Sequence, residues 1–160
     1  MKCRALLACD KIIVDKQGAH SLINVMAHAI VWAQQQLPGQ EPQDIPIPPN
    51  AVSPQQWWIY TFWTMSPAED GQSFEQVYQV YWPNGEKLME NRLPFKQQGD
   101  KPQQTTYFIG GFPVGQEGAV KIVTWLDSHG TRVSDIEETV VFVSHKNPAL
   151  ASATPVSLSV

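Results

Sequence analysis

Turn signals recur along this sequence at short intervals, and the stretches between them have the composition of β-strands. The clearest signal is Pro83-Asn84-Gly85, because proline presets its own φ and Asn-Gly accepts the positive φ values of a tight turn. Such spacing is typical of antiparallel sandwiches and barrels rather than of strands that alternate with helices. We therefore expect an all-β fold, a single antiparallel β-sandwich of about seven or eight strands. The predicted strands are 2–15, 20–32, 57–65, 73–82, 86–95, 104–112, 119–127 and 136–143.

The chain of 160 residues is long enough for one domain with its own hydrophobic core. We assign residues 1–145 to the β-sandwich domain and residues 146–160, which are rich in Ala, Ser, Thr and Pro, to a disordered C-terminal tail. Residues 39–56 contain closely spaced prolines and predict a long surface loop. Residues 27–36 either continue the second strand or form a short helix, since Ala, Met and Gln favour helices.

The low charge of the chain limits the partners that suit it. Only 16% of the residues are charged and the formal net charge is −4, so phosphate backbones and anionic lipid surfaces do not attract the chain. We expect no nucleic-acid partner and no membrane partner. Cys3 and Cys9 would lie about 20 Å apart on a regular strand, too far for a disulfide. The apolar stretch between Arg4 and Cys9 is too short for a secretory signal, and we expect reduced thiols and a cytoplasmic location.

Several segments of the chain carry a family likeness: Cys9-Asp10-Lys11-Ile12-Ile13-Val14-Asp15, a turn at Gly18, Ser21-Leu22-Ile23-Asn24-Val25, Tyr81-Trp82-Pro83-Asn84-Gly85, and the strand 118–127 with a turn at Gly130. Together they resemble an uncharacterised bacterial family of small proteins. The resemblance covers most of residues 5–143 and implies an immunoglobulin-like or C2-like β-sandwich without an established activity. The proline-rich loop and the glutamine-rich insertions depart from the family pattern, and the resemblance supplies no catalytic residues.

Side chains that could carry catalysis or bind a metal are scattered along the chain. Asp127-Ser128-His129 contains the three residue types of a hydrolytic triad, but a working triad is assembled from distant segments, and we interpret this run as a turn. No histidines or cysteines have metal-ligand spacing, and no glycine-rich loop leads from a strand into a helix. We therefore predict no catalytic residue, no metal and no cofactor. An enzyme would have to use groups near the first hairpin, namely Cys9, Asp10, Asp15 and His20.

Aromatic side chains are concentrated between residues 57 and 63. Strand residues alternate between two faces, so this stretch has two apolar faces although a sandwich strand needs only one. Either the proline-rich loop or a partner covers the second face, or that face is an exposed aromatic platform. The apolar content of the two faces is similar, so the sequence does not say which face points inward. The candidate binding residues are Trp57, Trp58, Tyr60, Phe62, Trp63 and Tyr81.

These observations favour a non-catalytic binding or accessory module. We expect it to act through its loops and an aromatic sheet face on a protein partner or on a second copy of the chain. The alternative is a carbohydrate or small-ligand binding β-sandwich that uses the same aromatic side chains as stacking surfaces. An enzyme is the third interpretation.

Overall fold

The computed structural model describes residues 1–31, 34–35 and 43–146, and these residues form strands and turns but no α-helix. Within those ranges, no helix is long and apolar enough to span a membrane. A 3-10 turn, Pro67–Glu69, is the only helical element of the described residues. The strands are β1 (Lys2–Val14), β2 (His20–Val25), β3 (His28–Val31), β4 (Gln34–Gln35), β5 (Gln43–Asp44), β6 (Val52–Thr64), β7 (Ser73–Tyr81), β8 (Lys87–Lys96), β9 (Gln103–Pro113), β10 (Gly118–Ser128), β11 (Thr131–Arg132) and β12 (Glu137–His145).

The strands form two main sheets, which confirms the expected all-β, mostly antiparallel fold. Sheet A has the strand order β2-β1-β6-β9. Sheet B has the order β3-β12-β10-β7-β8, and β11 adds to β10. Every ladder in the two sheets is antiparallel except that of β3 with β12, which is parallel. The short strands β4 and β5 pair with each other.

Both sheets turn one face toward a shared core, an arrangement consistent with a β-sandwich. In sheet A, Trp57 packs edge-on against Phe112, with ring centroids 5.3 Å apart. Alternation along β6 adds Ile59 and Trp63 to the same buried face. The other core side chains include Leu6, Ala8 and Ile109 from sheet A, and Tyr78, Val80, Val120, Ile122, Leu126, Val141 and Val143 from sheet B.

A hydrogen-bonded polar cluster inside this core connects the two sheets. Tyr78 Oη lies 3.1 Å from Thr61 Oγ1 and 2.8 Å from Thr105 Oγ1. Gln76 Nε2 donates to Thr61 Oγ1 at 2.8 Å and to Thr124 Oγ1 at 3.1 Å. Thr61 and Thr105 belong to sheet A and the other three residues to sheet B, so the cluster fixes how one sheet sits on the other. Burial raises the pKa of Tyr78 to about 12, because the phenolate would lose its hydration.

The predicted strand 20–32 is two strands that belong to different sheets. The chain changes sheets between Met26, whose N–H donates to Ala8 in sheet A, and Ala27, whose carbonyl accepts from Phe142 in sheet B. The helix considered for residues 27–36 is wrong for 28–31, which form β3. Residues 32–33 and 36–42 lie outside the described ranges, and so do residues 147–160 of the predicted tail.

The proline-rich segment ends earlier than the sequence predicts, because β6 begins at Val52. Pro54 is accommodated inside β6 at a bulge, where the register against β9 shifts between Ser53 and Gln56. A bulge tolerates proline, because the N–H that proline lacks is not needed in the ladder there. On β9, Gly111 has a φ of +95°, and a Cβ there would lie 2.5 Å from Val52 Cγ1. The first third of β6 is therefore strand rather than loop, and a glycine is required opposite it.

Candidate binding face

The structure divides the aromatic candidates of β6 between the core and the outside of sheet A. Trp57 and Trp63 are 0% and 1% exposed, so neither indole has a surface to offer a partner, and both belong to the core instead. Trp58, Tyr60 and Phe62 are half-buried and point away from the core. From Trp57 to Trp63 the odd-numbered residues therefore face inward, which the sequence alone left open.

A row of apolar side chains crosses the outer side of sheet A at the level of Trp58. The register places Cys9 and Val25 beside Trp58 on one side and Phe108 on the other. The rings of Trp58 and Phe108 lie 5.0 Å apart at a tilted angle. Phe108 is 42% exposed and Val25 is 52% exposed, which is unusual for large apolar side chains. We call Trp58, Tyr60, Phe62 and Phe108 the outer aromatic face.

Cys9 is buried under the neighbouring side chains of this row. It has no solvent exposure although it lies on the outer side of the sheet, and burial raises the pKa of its thiol. Cys3, by contrast, lies opposite the core residue Trp63, and burial raises the pKa of Cys3 to about 11. Both cysteines are buried free thiols. A protonated buried thiol is a poor nucleophile, so neither residue is poised for thiolate chemistry.

The chain covers part of the outer aromatic face with its own first hairpin. His20 Nδ1 lies 2.5 Å from Gln104 Oε1, and the His20 ring lies 5.8 Å from the Tyr60 ring. Tyr60 Oη also donates to Gln104 Oε1 at 3.1 Å. His20 pairs with Val14, and along a straight β1 Val14 would lie roughly 30 Å from the level of Gln104. The hairpin of β1 and β2 therefore folds back over the outside of sheet A.

The folded hairpin leaves one end of the outer aromatic face open. Burial under the hairpin raises the pKa of Tyr60. Asn24 has a φ of +50° and donates through Nδ2 to Asp10 Oδ2 at 3.0 Å, which marks a kink in the hairpin at these residues. The exposed part of the face is the end formed by Trp58 and Phe108.

Tyr81 lies away from the other candidates, on the outer side of sheet B. Lys121 Nζ lies 5.2 Å from the centre of its ring. Tyr81 Oη donates to Gln79 Oε1 at 2.5 Å, and Gln79 Nε2 donates to Glu90 Oε2 at 2.7 Å. Hydrogen bonds from Lys87 and Gln79 lower the pKa of Glu90 to about 2. Tyr81 thus belongs to a polar, charged surface that is separate from the outer aromatic face.

The groups that an enzyme would have to use near the first hairpin do not converge. Asp15 Oδ1 accepts the backbone N–H groups of Gln17 and Ala19, at 2.8 Å each, within the turn. Asp10 Oδ1 accepts from Gln55 Nε2 at 2.8 Å, near the start of β6. His20 instead contacts Gln104, which pairs with Phe62 near the other end of β6. Each polar group already has a structural partner of its own.

Of the predicted turn Asp127-Ser128-His129, only His129 lies in the turn, together with Gly130. Asp127 and Ser128 are the last residues of β10 and pair with β11. Asp127 Oδ2 accepts from Arg92 at 2.9 Å, while Ser128 Oγ donates to the Ser73 carbonyl at 3.1 Å. His129 has the positive φ of a turn residue, +50°. In the described ranges, no group of three His, Cys, Asp or Glu side chains is placed to hold a metal ion.

Sequence reasoning does not find Phe108, which is the most exposed member of the outer aromatic face. It becomes visible only once β9 is placed beside β6 in the observed register. No protein-family model and no curated protein sequence matches this chain.

Proposed function

We propose that this chain is a non-catalytic binding module that holds a protein partner against the outer aromatic face. The observation that carries the proposal is Phe108, 42% exposed, in ring contact with the half-buried Trp58. Aromatic side chains are enriched at protein interfaces, where their area becomes desolvated on binding. In this proposal the fold is the immunoglobulin-like or C2-like sandwich of the bacterial family that the sequence resembles, and the location is cytoplasmic.

The surroundings of the row define the chemistry of the partner. Among its neighbours on the outer side of sheet A, Gln56 and Thr106 are uncharged and Lys11 is the charged one. A partner that suits this surface presents an apolar patch bordered by hydrogen-bonding groups rather than by a cluster of charge. The net charge of −4 makes a nucleic acid or an anionic membrane a poor alternative partner.

The way in which the polar groups are engaged supports a non-catalytic role. Asp10, Asp15 and His20 are each held by a different neighbour, and Cys9 is buried. A site for chemistry needs a nucleophile or base and its orienting group within hydrogen-bond reach of one another. We therefore assign no catalytic residue, no metal and no cofactor to the module.

Site-specific photo-crosslinking in the native cell tests this proposal. A benzophenone amino acid replaces Trp58, and the control carries it at Phe142, which is 52% exposed on the outer side of sheet B. At position 58 the expected result is a covalent adduct with one protein other than this chain. At position 142 that protein should not be crosslinked. Capture of the same proteins at both positions, or of no protein at position 58, would refute the proposal.

The outer side of sheet B favours a second candidate function, carbohydrate binding. The register puts Tyr81 opposite Lys121, and Trp125 lies four positions along β10 on the same face. Trp125 Nε1 donates to Asp127 Oδ1 at 2.8 Å, so an aromatic ring and hydrogen-bonding side chains stand side by side, as sugar recognition requires. Titration of the protein with a panel of oligosaccharides would change its tryptophan fluorescence. The absence of that change, or its persistence in Trp125→Ala, would exclude this surface.

A further inference from the structure

The edge strand β9 of sheet A, beside the outer aromatic face, differs from β8, the longer of the two edge strands of sheet B. Exposed strand edges offer unpaired backbone groups, and proteins protect them with charges, prolines or kinks. The edge strand β8 carries Lys87, Glu90, Arg92, Pro94 and Lys96. By contrast, β9 is 11 residues long, has no charged residue, and has its one proline at the last position. Among the described residues, β9 pairs only with β6.

The regular part of this unprotected edge is residues 103–109. Beyond it, Gly110 and Gly111 face the bulge of β6, and Gly111 has a positive φ. Thr106 is the midpoint of 103–109 and lies on the outer side, opposite Tyr60. The other edge of sheet A, β2, is short and kinked at Asn24, so it offers a poorer template.

We infer that β9 pairs with β9 of a second copy of this chain, antiparallel and about a two-fold axis at Thr106, so that two copies of sheet A become one continuous sheet. The strand is complementary to itself in this arrangement. Thr106 meets Thr106 of the second copy, a favourable cross-strand pair, and Phe108 meets Gln104 on the outer side. No like charges are opposed, because the strand has none, and an antiparallel pair about a two-fold axis is a closed contact.

The same pairing on β8 would be penalised. That strand has four charged residues, the usual protection of an exposed edge, and Pro94 has no N–H to donate to a second copy. The contrast between the two edges is what identifies β9, and a second copy is the occupant because the strand's own sequence supplies the matching partner. The inference concerns the edge of the sheet and is independent of which protein binds the outer aromatic face.

Charge exchange at the axis tests the inference. The molar mass of the full chain is measured by light scattering at about 100 μM, well above a micromolar dissociation constant. Wild type should be a dimer. Thr106→Lys and Thr106→Glu should each raise the dissociation constant of the dimer about tenfold or more, because equal charges meet at the axis. An equimolar mixture of the two variants should recover the dimer. Thr131→Lys is the matched control, an exposed threonine on β11 of sheet B, and should remain dimeric.

A second, smaller substitution guards against misfolding of the charged variants. Directly opposed residues of an antiparallel pair have Cα atoms about 4.5–5.5 Å apart, within the span of a disulfide. Thr106→Cys should therefore form a covalent dimer on mild oxidation, whereas the exposed Thr131→Cys should not. A monomeric wild type, a dimer that survives both charged variants, a mixture that stays monomeric, or no crosslink at position 106 would each overturn the inference. The proposed function is tested separately, by the photo-crosslink at position 58 in a chain that is otherwise wild type.

Discussion

The two buried tryptophans of β6 should differ in how much stability the protein loses when each is replaced by phenylalanine. Trp57 and Trp63 share the strand, the inward face and nearly complete burial. They differ in one bond, because Trp57 Nε1 donates to the Gly111 carbonyl at 2.9 Å, whereas Trp63 Nε1 has no acceptor among the described residues. Both substitutions remove similar ring area, so the cavity cost is similar and the fate of the indole N–H decides the difference.

The expected difference in the free energy of unfolding is about 2–4 kcal/mol. Trp57→Phe loses a hydrogen bond with a net value of about 1 kcal/mol, while Trp63→Phe removes an unpaired buried donor that costs about 1–3 kcal/mol. Trp57→Phe should therefore be the less stable variant. Urea unfolding followed by circular dichroism measures both, and equal slopes make the midpoints comparable. If Trp63→Phe is as destabilised as Trp57→Phe, the hydrogen-bond reasoning is wrong.

Three further changes test the core, the charged surface and the bulge. Tyr78 supplies stability below the unfolded tyrosine pKa of about 10, which is lost as the pH rises through about 12; alkaline melting curves should show this loss in wild type and a flatter profile in Tyr78→Phe. Glu90 supplies stability above the unfolded glutamate pKa of about 4.3, which is lost as the pH falls through about 2, and Glu90→Gln should flatten acid melting curves over that range. Gly111→Ala should lower the melting temperature much more than Gly110→Ala, because only position 111 combines a positive φ with a Cβ clash, against Val52; equal shifts would contradict the role of the bulge.

The elements that the sequence predicts well depend on local signals. Pro83-Asn84-Gly85 separates β7 from β8 because its turn chemistry is contained in those three residues. Alternation on β6 correctly separates the two sets of aromatic side chains, since the side-chain period of a strand is independent of its neighbours. The inward set becomes known only from the opposing sheet, which contributes Tyr78 and Leu126 to the core.

Other features depend on contacts between distant parts of the chain, which leave little trace in the sequence. His20 and Gln104 are 84 positions apart, and their contact is what places the first hairpin over sheet A. The parallel pairing of β3 with β12 likewise joins residues far apart, such as His28 and Phe142. Phe108 becomes a candidate only through its register with Trp58, so the open end of the outer aromatic face is a product of tertiary structure.

The most direct test of the outer aromatic face is the affinity of the captured partner for two variants in which a phenylalanine is replaced by alanine. Isothermal titration calorimetry would compare wild type with Phe108→Ala, on the proposed binding side, and Phe142→Ala, on the opposite side of the molecule. Both side chains are substantially exposed, at 42% and 52%, so neither substitution should unfold the protein. The account predicts that Phe108→Ala weakens binding about tenfold or more, or about 1.4 kcal/mol, while Phe142→Ala leaves it unchanged. Equal affinities for wild type and Phe108→Ala would contradict it.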